Sequence, residues 1–222
     1  MTMLKLTGLS KSYPHSSGPI AVLTGIDAEV KTGERVAVLG PSGSGKSTLL
    51  ALLSGLDQPT SGTIELAGTV LGSLSERQLT SYRARYLGIV FQQFHLMAHL
   101  SALENVMLPL RIAGLHDVGP RATEALNDVG LGHRLSHRPQ QLSGGECQRV
   151  AIARAIVGEP ALILADEPSG NLDSKTGEQV MTLLFDLVRQ RHSTLVLVTH
   201  NEHLASWCDR RLLLNGGRLV DA

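Results

Sequence analysis

One stretch decides the fold of this chain: Leu39-Gly40-Pro41-Ser42-Gly43-Ser44-Gly45-Lys46-Ser47-Thr48. It fits the pattern G-x-x-x-x-G-K-[ST], and an apolar strand candidate, Arg35 to Leu39, stands directly before it. A leucine-rich segment with helical spacing begins near Lys46. A glycine-rich loop between a strand and a helix is the setting in which this pattern indicates phosphate binding. The alternative, a glycine-rich turn with an incidental lysine, does not account for these flanking elements.

The residue types of this loop suit a nucleotide. Its glycines allow backbone N–H groups to close around an anion without interference from a Cβ atom. The helix N-terminus adds oriented donors and a partial positive charge. Lys46 would reach the β- and γ-phosphates, and the Ser47 hydroxyl would hold Mg²⁺. The sequence therefore predicts a chain that binds a nucleoside triphosphate.

Composition excludes some other classes of function. The 20 Lys and Arg residues balance the 20 Asp and Glu residues, whereas a nucleic-acid surface usually shows a clustered basic excess. Cys147 and Cys208 lie far apart without metal-like spacing, so we expect free thiols in a reducing compartment. We also expect no cleavable signal at the start and no membrane-spanning run. These features predict a cytoplasmic protein that contacts a membrane only through a partner.

The last third of the chain alternates strands with helices. Ala161 to Ala165 and Thr194 to Thr199 are continuous apolar runs, which are typical of strands covered on both faces in a parallel sheet. Helices near Glu146 to Val157 and Lys175 to Arg191 alternate with these strands. This order predicts an α/β domain that binds ligands at the carboxyl ends of its strands.

The start and the middle of the chain have a different character. Two β-like pieces, Leu4 to Leu9 and Val22 to Val30, are separated by turn residues that include Ser17. The middle is predicted to form helices at Ala102 to Ala113 and Pro120 to Val129, with glycines that end them. We therefore predict one domain over residues 1–222, with a core at about 1–92 and 150–222 and a helical subdomain at about 93–149.

A second motif ends an apolar strand with two carboxylates. The run Leu162-Ile163-Leu164-Ala165 leads directly into Asp166 and Glu167. Asp166 would leave the sheet beside Mg²⁺, and Glu167 can polarise an attacking water as a general base. An ordinary acidic turn is the alternative, and this motif alone does not separate the two. Together with the phosphate loop it favours the functional interpretation.

A third motif is Leu142-Ser143-Gly144-Gly145-Glu146-Cys147-Gln148. The serine suits a helix N-cap, and the glycines leave room for a close approach. An apolar helix pattern follows, so the motif predicts a second helix N-terminus that faces an anion. A plain capped helix is the alternative, because Ser-Gly-Gly before a helix is common.

This third motif resembles the signature sequence of the ABC-transporter ATPases, and the resemblance covers essentially the whole chain in the family's order. It implies a P-loop NTPase core with a mainly parallel sheet, an N-terminal antiparallel β part and an inserted α-helical subdomain. It also assigns roles to the matching residues. Tyr13 would stack on adenine, residues Gly40 to Thr48 would form the Walker A loop, and Gln92 would sense Mg²⁺ and water. Ser143, Gly144 and Gly145 would form the signature core, Asp166 and Glu167 would be the Walker B aspartate and the catalytic glutamate, Asp173 would belong to the D-loop, and His200 would be the switch histidine.

The same resemblance implies a mechanism. Each ATP would lie between Lys46 of one copy and the signature core of a second copy, in a head-to-tail homodimer. Intact Glu167 and His200 predict a working ATPase, although Cys147 and Ser169 depart from the family's more usual residues. The catalytic residues would be Lys46, Gln92, Glu167 and His200, and Mg²⁺ would be held by Ser47, Gln92 and Asp166.

Within the family, the chain resembles the branch of lipoprotein-releasing and macrolide-export ATPases. The matching segments are Gly55-Leu56-Asp57, Pro59 to Gly62, Ala102 to Val106 and Ala165 to Asp173. The resemblance implies separate integral membrane permease subunits of the FtsX/MacB-like type, at the cytoplasmic face of the inner membrane. The segment Ser101 to Leu135 would form a groove for a short cytoplasmic helix of that partner.

Two other functions remain open at this point. One is an ABC-type ATPase of a soluble cytoplasmic machine, and the other is a nucleotide-gated assembly module without catalysis. Relatives that serve soluble machines usually carry long coiled-coil insertions, tandem cassettes or basic arms. This chain shows one cassette, no heptad run and no basic excess, which favours the transporter interpretation.

Overall fold

The computed structural model describes residues 1–16 and 18–221, which form two compact units. Unit 1 comprises Met1–Leu79 and Thr194–Ala222, and unit 2 comprises Thr80–Ser193. Ser17, one of the predicted turn residues, lies outside the described residues.

The N-terminal part of unit 1 is an antiparallel sheet, as predicted. Its strands lie in the order β2-β1-β4-β5. Strands β1 and β2 are longer than the predicted pieces, because shifts of register such as that between Leu6 and Leu9 interrupt the alternation of apolar and polar residues. The bounds are Thr2–Tyr13 for β1, Ile20–Lys31 for β2, Ser61–Leu66 for β4 and Thr69–Val70 for β5.

A second sheet of unit 1 carries the predicted phosphate-loop strand. Its strands lie in the order β10-β9-β3-β8, and β3 is parallel to both neighbours. The strands are β3 at Arg35–Leu39, β8 at Thr194–Val198, β9 at Arg210–Asn215 and β10 at Arg218–Asp221. Helix α1 spans Lys46–Leu53, and the short helix α7 spans Glu202–Ala205. The prediction for β3 is confirmed, whereas β9, β10 and α7 were not predicted.

Unit 2 joins a parallel strand pair to a set of helices. Strand β6, Leu87–Val90, pairs in parallel with β7, Leu162–Asp166. The helices are α3 at Ala102–Ile112, α4 at Val118–Asp128, α5 at Gly144–Ile156 and α6 at Ser174–Gln190. All four were predicted, with ends within two residues of the observed ones. Burial of the apolar faces of α5 and α6 supplies much of the core of this unit.

Helix α2, Glu76–Tyr86, was not predicted and begins in unit 1. Leu79 is its buried residue, and the rest of the helix is largely polar. A helix without an apolar stripe gives no helical periodicity in the sequence, which is why it was missed. Among the described residues, no helix combines the length and the apolar character that are needed to cross a membrane.

Candidate active site

The predicted phosphate loop of unit 1 connects β3 to α1. Gly43 and Gly45 have φ angles of 79° and 101°, a left-handed conformation that glycine adopts without strain. Gly45 stands at the N-cap of α1, where no side chain caps the helix and no acidic residue lies in the first turn. The backbone donors at this helix end are therefore suited to an anion.

Lys46 folds back over the loop. Its Nζ atom donates hydrogen bonds to the carbonyl oxygens of Gly40 at 2.8 Å and Pro41 at 2.9 Å. Ser44 Oγ is buried and has no hydrogen-bond partner in the described part of the chain. A lysine that bonds only neutral carbonyls, beside an orphaned hydroxyl, fits a loop that accepts phosphate oxygens.

Tyr13 ends β1 in unit 1 and is held by two neighbours. Its hydroxyl donates to Asp57 Oδ2 at 2.8 Å, which raises the pKa of the tyrosine. Lys11 Nζ lies 4.7 Å from the ring centroid and also donates to Asp57 Oδ1 at 2.6 Å. The ring is thus fixed at its hydroxyl end, while 38% of the residue's surface remains exposed. The sequence did not predict the contributions of Lys11 and Asp57.

His200 follows β8, at the sheet edge that carries the phosphate loop. Because β3 and β8 run parallel and pair Val38 with Val198, both strands deliver their next residues to the same edge. Thr199 before the histidine is buried, and Asn201 after it accepts a hydrogen bond from the Leu204 N–H at the start of α7. His200 itself is exposed between these two fixed residues.

In unit 2, Gln92 and the two carboxylates also share a sheet edge. The parallel pair of β6 and β7 matches Val90 with Ala165, so the residues that follow both strands emerge together. Glu167 has a φ of 43°, which is costly for a residue with a side chain and is often found at functional sites. The Glu167 carbonyl oxygen accepts a hydrogen bond of 2.9 Å from the Gly170 N–H.

Asn171 holds Gln92 through a reciprocal pair of hydrogen bonds. Gln92 Nε2 donates to Asn171 Oδ1 at 3.1 Å, and Asn171 Nδ2 donates to the Gln92 carbonyl oxygen at 3.0 Å. The two residues belong to the predicted Mg²⁺-sensing and D-loop segments. The resemblance in sequence named Gln92 and not Asn171, because an asparagine in a turn carries no signal of its distant partner.

The predicted signature core forms the start of α5. Ser143 is its N-cap and accepts a hydrogen bond of 3.2 Å from the Glu146 N–H, while Glu146 Oε2 accepts one of 2.8 Å from the Ser143 N–H. This reciprocal arrangement is a capping box. A Cβ atom on Gly145 would lie 2.5 Å from Thr176 Cγ2, so α5 approaches α6 closely here.

Asp173 caps helix α6. Its Oδ1 atom accepts a hydrogen bond of 3.1 Å from the Thr176 N–H. The hydrogen bonds from Thr176 lower the pKa of this carboxyl. The structure thus shows a capping role for Asp173, and its role toward a nucleotide stays a prediction.

Helix α5 also holds the segment that follows Gln92. Gln148 Nε2 donates to the Phe91 carbonyl oxygen at 3.3 Å, and the Arg154 guanidinium donates to the carbonyl oxygens of Phe94 at 2.7 Å and His95 at 2.6 Å. Burial lowers the pKa of Arg154. Sequence patterns did not predict these contacts, because the acceptors are backbone carbonyls, which every residue has.

Carboxylate, thiolate and imidazole side chains do not form a metal site by themselves in the described part of the chain. Within the residues that the structure describes, no group of three or more His, Cys, Asp or Glu side chains is placed to hold a metal ion. Mg²⁺ commonly takes one or two protein ligands together with phosphate oxygens and waters. The assignment of Ser47, Gln92 and Asp166 as Mg²⁺ ligands therefore stays a prediction.

Known proteins resemble this chain in both sequence and structure. The family model described as "ABC transporter" matches residues 23–170. The chain is 49% identical to the lipoprotein-releasing system ATP-binding protein LolD of Psychrobacter arcticus, over 97% of this chain and 96% of that protein. It is also 49% identical to the LolD protein of Geobacter metallireducens, over 99% and 98% of the two chains.

A solved structure shares the fold. The ATP-binding cassette MJ0796, solved as a dimer in a post-hydrolysis state with bound ADP and Pi, superimposes with a TM-score of 0.90. That likeness covers 99% of this chain and 98% of the other, at 40% identity. The predicted fold class is confirmed by this match.

Proposed function

Because this chain belongs to the ABC transporter family, as an ATP-binding subunit with ATPase activity, we propose that it powers a lipoprotein-releasing complex. Relatives at 49% identity over nearly their whole length carry the name of that system. The observation that carries the nucleotide part is the uncapped, acid-free start of α1, with Lys46 folded over its loop. These features supply backbone donors and a cation for phosphate.

The proposed chemistry is in-line attack of water on the γ-phosphate of ATP. Glu167 would accept a proton from the water as its oxygen bonds to phosphorus, and the bond to ADP would break. Lys46 and the N–H groups of its loop would stabilise the charge on the phosphate oxygens, and His200 would orient the γ-phosphate. Bound Mg²⁺, held by Ser47, Gln92 and Asp166, would withdraw charge from those oxygens.

We further propose that two copies of the chain assemble head to tail around ATP. The similar cassette with bound ADP and Pi is dimeric, which supports this arrangement. Tyr13 and the Lys46 loop of one copy and Ser143 to Gly145 of the second would bind each ATP. ATP would then favour the closed dimer, and hydrolysis would release it.

The proposed membrane partners are permease subunits of the type named for the branch. Unit 2 exposes three large apolar residues on or next to the predicted helical segment, Met97, Ile112 and Leu115. Exposed apolar side chains of this kind are suited to packing against a helix of a partner. Bound in this way, the chain would be a peripheral protein on the cytoplasmic face of the inner membrane.

Turnover by Glu167→Gln tests the catalytic assignment. We expect the purified variant to bind ATP but to hydrolyse it at least about 100-fold more slowly, because a glutamine cannot accept the proton. Lys46→Ala should lose nucleotide binding itself. Wild-type turnover by Glu167→Gln would contradict the assignment of Glu167 as the base.

A pull-down tests the partner. Tagged Glu167→Gln protein would be captured with ATP and Mg²⁺ from detergent-solubilised native membranes, with Lys46→Ala as the matched control. We expect an integral membrane protein with a large extracytoplasmic domain to be recovered with Glu167→Gln and not with the control. Recovery of soluble proteins or nucleic acid alone would contradict the transporter assignment and would indicate a cytoplasmic machine.

A further inference from the structure

Glu146 follows the signature glycines, and both of its carboxylate oxygens accept hydrogen bonds. Oε2 accepts the Ser143 N–H at 2.8 Å as part of the capping box. Oε1 accepts Arg134 Nε at 3.1 Å. The Glu146 side chain is 16% exposed and that of Arg134 is 37% exposed, so solvent screens this pair only in part. Neither the motif nor the family resemblance assigned a role to Arg134.

The negative charge of Glu146 disfavours the binding of a γ-phosphate that is proposed for the loop Ser143 to Gly145. A helix N-terminus attracts anions, but a carboxylate in the first turn repels them at short range. The Ser143 backbone N–H, the Ser143 hydroxyl and Arg134 lower the pKa of Glu146, so it is ionised at neutral pH. Arg134 is therefore the cation that offsets a negative charge in the turn that would receive a γ-phosphate.

Further contacts hold Arg134 in place. Its Nη1 atom lies 3.0 Å from His137 Nε2, which must be the acceptor because a guanidinium only donates. The carbonyl oxygens of Leu135 and His137 accept hydrogen bonds from the Leu103 and Ala102 N–H groups, at 3.0 Å and 2.8 Å. The segment around Arg134 is thus bonded to the first turn of α3 at one side and to the first turn of α5 at the other.

We propose that Arg134 is a positioning residue for the Ser143 to Gly145 loop, which it prepares for the γ-phosphate by holding Glu146 in the capping box and offsetting its charge. The inference rests on the proposed function, because it takes ATP bound to a second copy as the ligand of this loop. In addition, it ties the signature loop to the start of α3, within the segment proposed to meet the membrane partner.

A purely structural role for Arg134 makes a different prediction. If Arg134 only supported its own segment, removing it would harm the protein whatever the charge of residue 146. If it acts by offsetting Glu146, removal of that negative charge should make Arg134 dispensable. Glu146→Gln separates the two cases, because glutamine serves equally well at this position of a capping box.

The experiment measures ATP-dependent dimerisation in the Glu167→Gln background, in which ATP is not consumed. Analytical ultracentrifugation with ATP and Mg²⁺ would give the dimer dissociation constant. We expect Arg134→Ala to raise this dissociation constant by about tenfold. Each dimer contains two signature loops, so the loss of binding free energy at one loop counts twice. The double variant Arg134→Ala/Glu146→Gln should dimerise as tightly as Glu146→Gln. Arg189→Ala, which removes an exposed arginine on α6, should have no effect.

Two outcomes overturn the inference: an unchanged dissociation constant for Arg134→Ala, or an equal loss in the presence and absence of Glu146→Gln. A failure of the parent Glu167→Gln protein to dimerise would count against the proposed function instead. In that case, amide hydrogen exchange of the nucleotide-free single chain would test the positioning role of Arg134. Faster exchange of the Ser143 N–H in Arg134→Ala than in Arg189→Ala supports the positioning role, and equal exchange rates overturn it.

Discussion

Asp57 illustrates how a single side chain outside the nucleotide motifs prepares one inside them. It accepts hydrogen bonds from the Tyr13 hydroxyl, from Lys11 Nζ and from the Gln58 N–H at 2.7 Å. Burial favours its neutral form, but the hydrogen bonds from Lys11 and Tyr13 outweigh burial and lower the pKa of Asp57. The carboxylate therefore keeps its charge and fixes the ring that is proposed to stack on adenine.

We expect Asp57→Ala to lower the free energy of unfolding by about 2 kcal/mol at pH 7, because the Lys11 ammonium would lose its carboxylate partner. The Lys11 side chain is only 11% exposed, so water replaces that partner poorly. Urea unfolding followed by circular dichroism would measure the loss. The matched control is Asp186→Ala, which breaks an exposed ion pair with Arg189 and should cost little.

The effect of Asp57→Ala should also depend on pH. Because the folded pKa of Asp57 is lowered, its contribution is present above the unfolded pKa of about 4 and is lost as the pH falls through the folded pKa. The difference in unfolding free energy between wild type and variant should therefore shrink in acid. A difference that stays constant from pH 7 down to pH 3 would contradict this account.

Helices α5 and α6 are placed by their capped ends and by one glycine. Ser143 caps α5 and Asp173 caps α6, so both helices begin where their cap residues stand. Gly145 allows the first turn of α5 to pack against Thr176, at a distance that leaves no room for a side chain. The second glycine of the motif thus serves helix packing as well as any contact with a nucleotide.

We expect Gly145→Ala to lower the free energy of unfolding by about 1–3 kcal/mol, because the new methyl group would overpack against Thr176. Thr176→Ser removes the methyl group that causes the clash, so the double variant Gly145→Ala/Thr176→Ser should recover most of the loss. Thermal and urea unfolding would measure both variants. A double variant as unstable as Gly145→Ala would show that the clash is not the cause.

A glycine in an open position provides the control for this prediction. Gly119 lies in α4, and a Cβ atom built there has no neighbour within 4 Å. Gly119→Ala should therefore raise the free energy of unfolding by about 0.5–1 kcal/mol through helix propensity alone. The opposite signs expected at Gly119 and Gly145 separate helix propensity from packing.

At the scale of the whole molecule, the reactivity of the two cysteine thiols measures unfolding of the chain. Both are free thiols, and Cys147 is only 7% exposed. Burial raises the pKa of Cys208 to about 12, so its reactive thiolate is scarce in the folded chain. Because Cys147 lies in unit 2 and Cys208 in unit 1, together they sample both units.

We expect iodoacetamide at pH 8 to modify neither thiol at an appreciable rate in the folded protein, and both at the rate of an ordinary cysteine in urea. Mass spectrometry of tryptic peptides would measure each site separately. Because the pKa of Cys208 is raised in the folded chain, we also expect the free energy of unfolding to decrease as the pH rises from about 8.5 toward that folded pKa. Rapid modification of either thiol without urea would contradict the burial described for it.

The sequence by itself determined those features that depend on residues close together in the chain. The phosphate loop, the start of α1 at Lys46 and the N-cap of α5 at Ser143 all follow from local patterns, and the structure has them where the patterns predict them. Apolar runs likewise located β3, β7 and β8. These elements are local because turn conformation, capping and periodicity act over a few residues.

Only the tertiary structure decided which side chains hold the functional ones. Asn171 meets Gln92 across 79 residues, and Lys11 meets Asp57 across 46. Arg154 and Gln148 bond backbone carbonyls, whose residue types carry no information about the donor. Strand β9 was missed for a related reason, because it pairs with β3, which lies far away in the sequence. Such contacts are set by the path of the folded chain, and a local pattern does not contain that path.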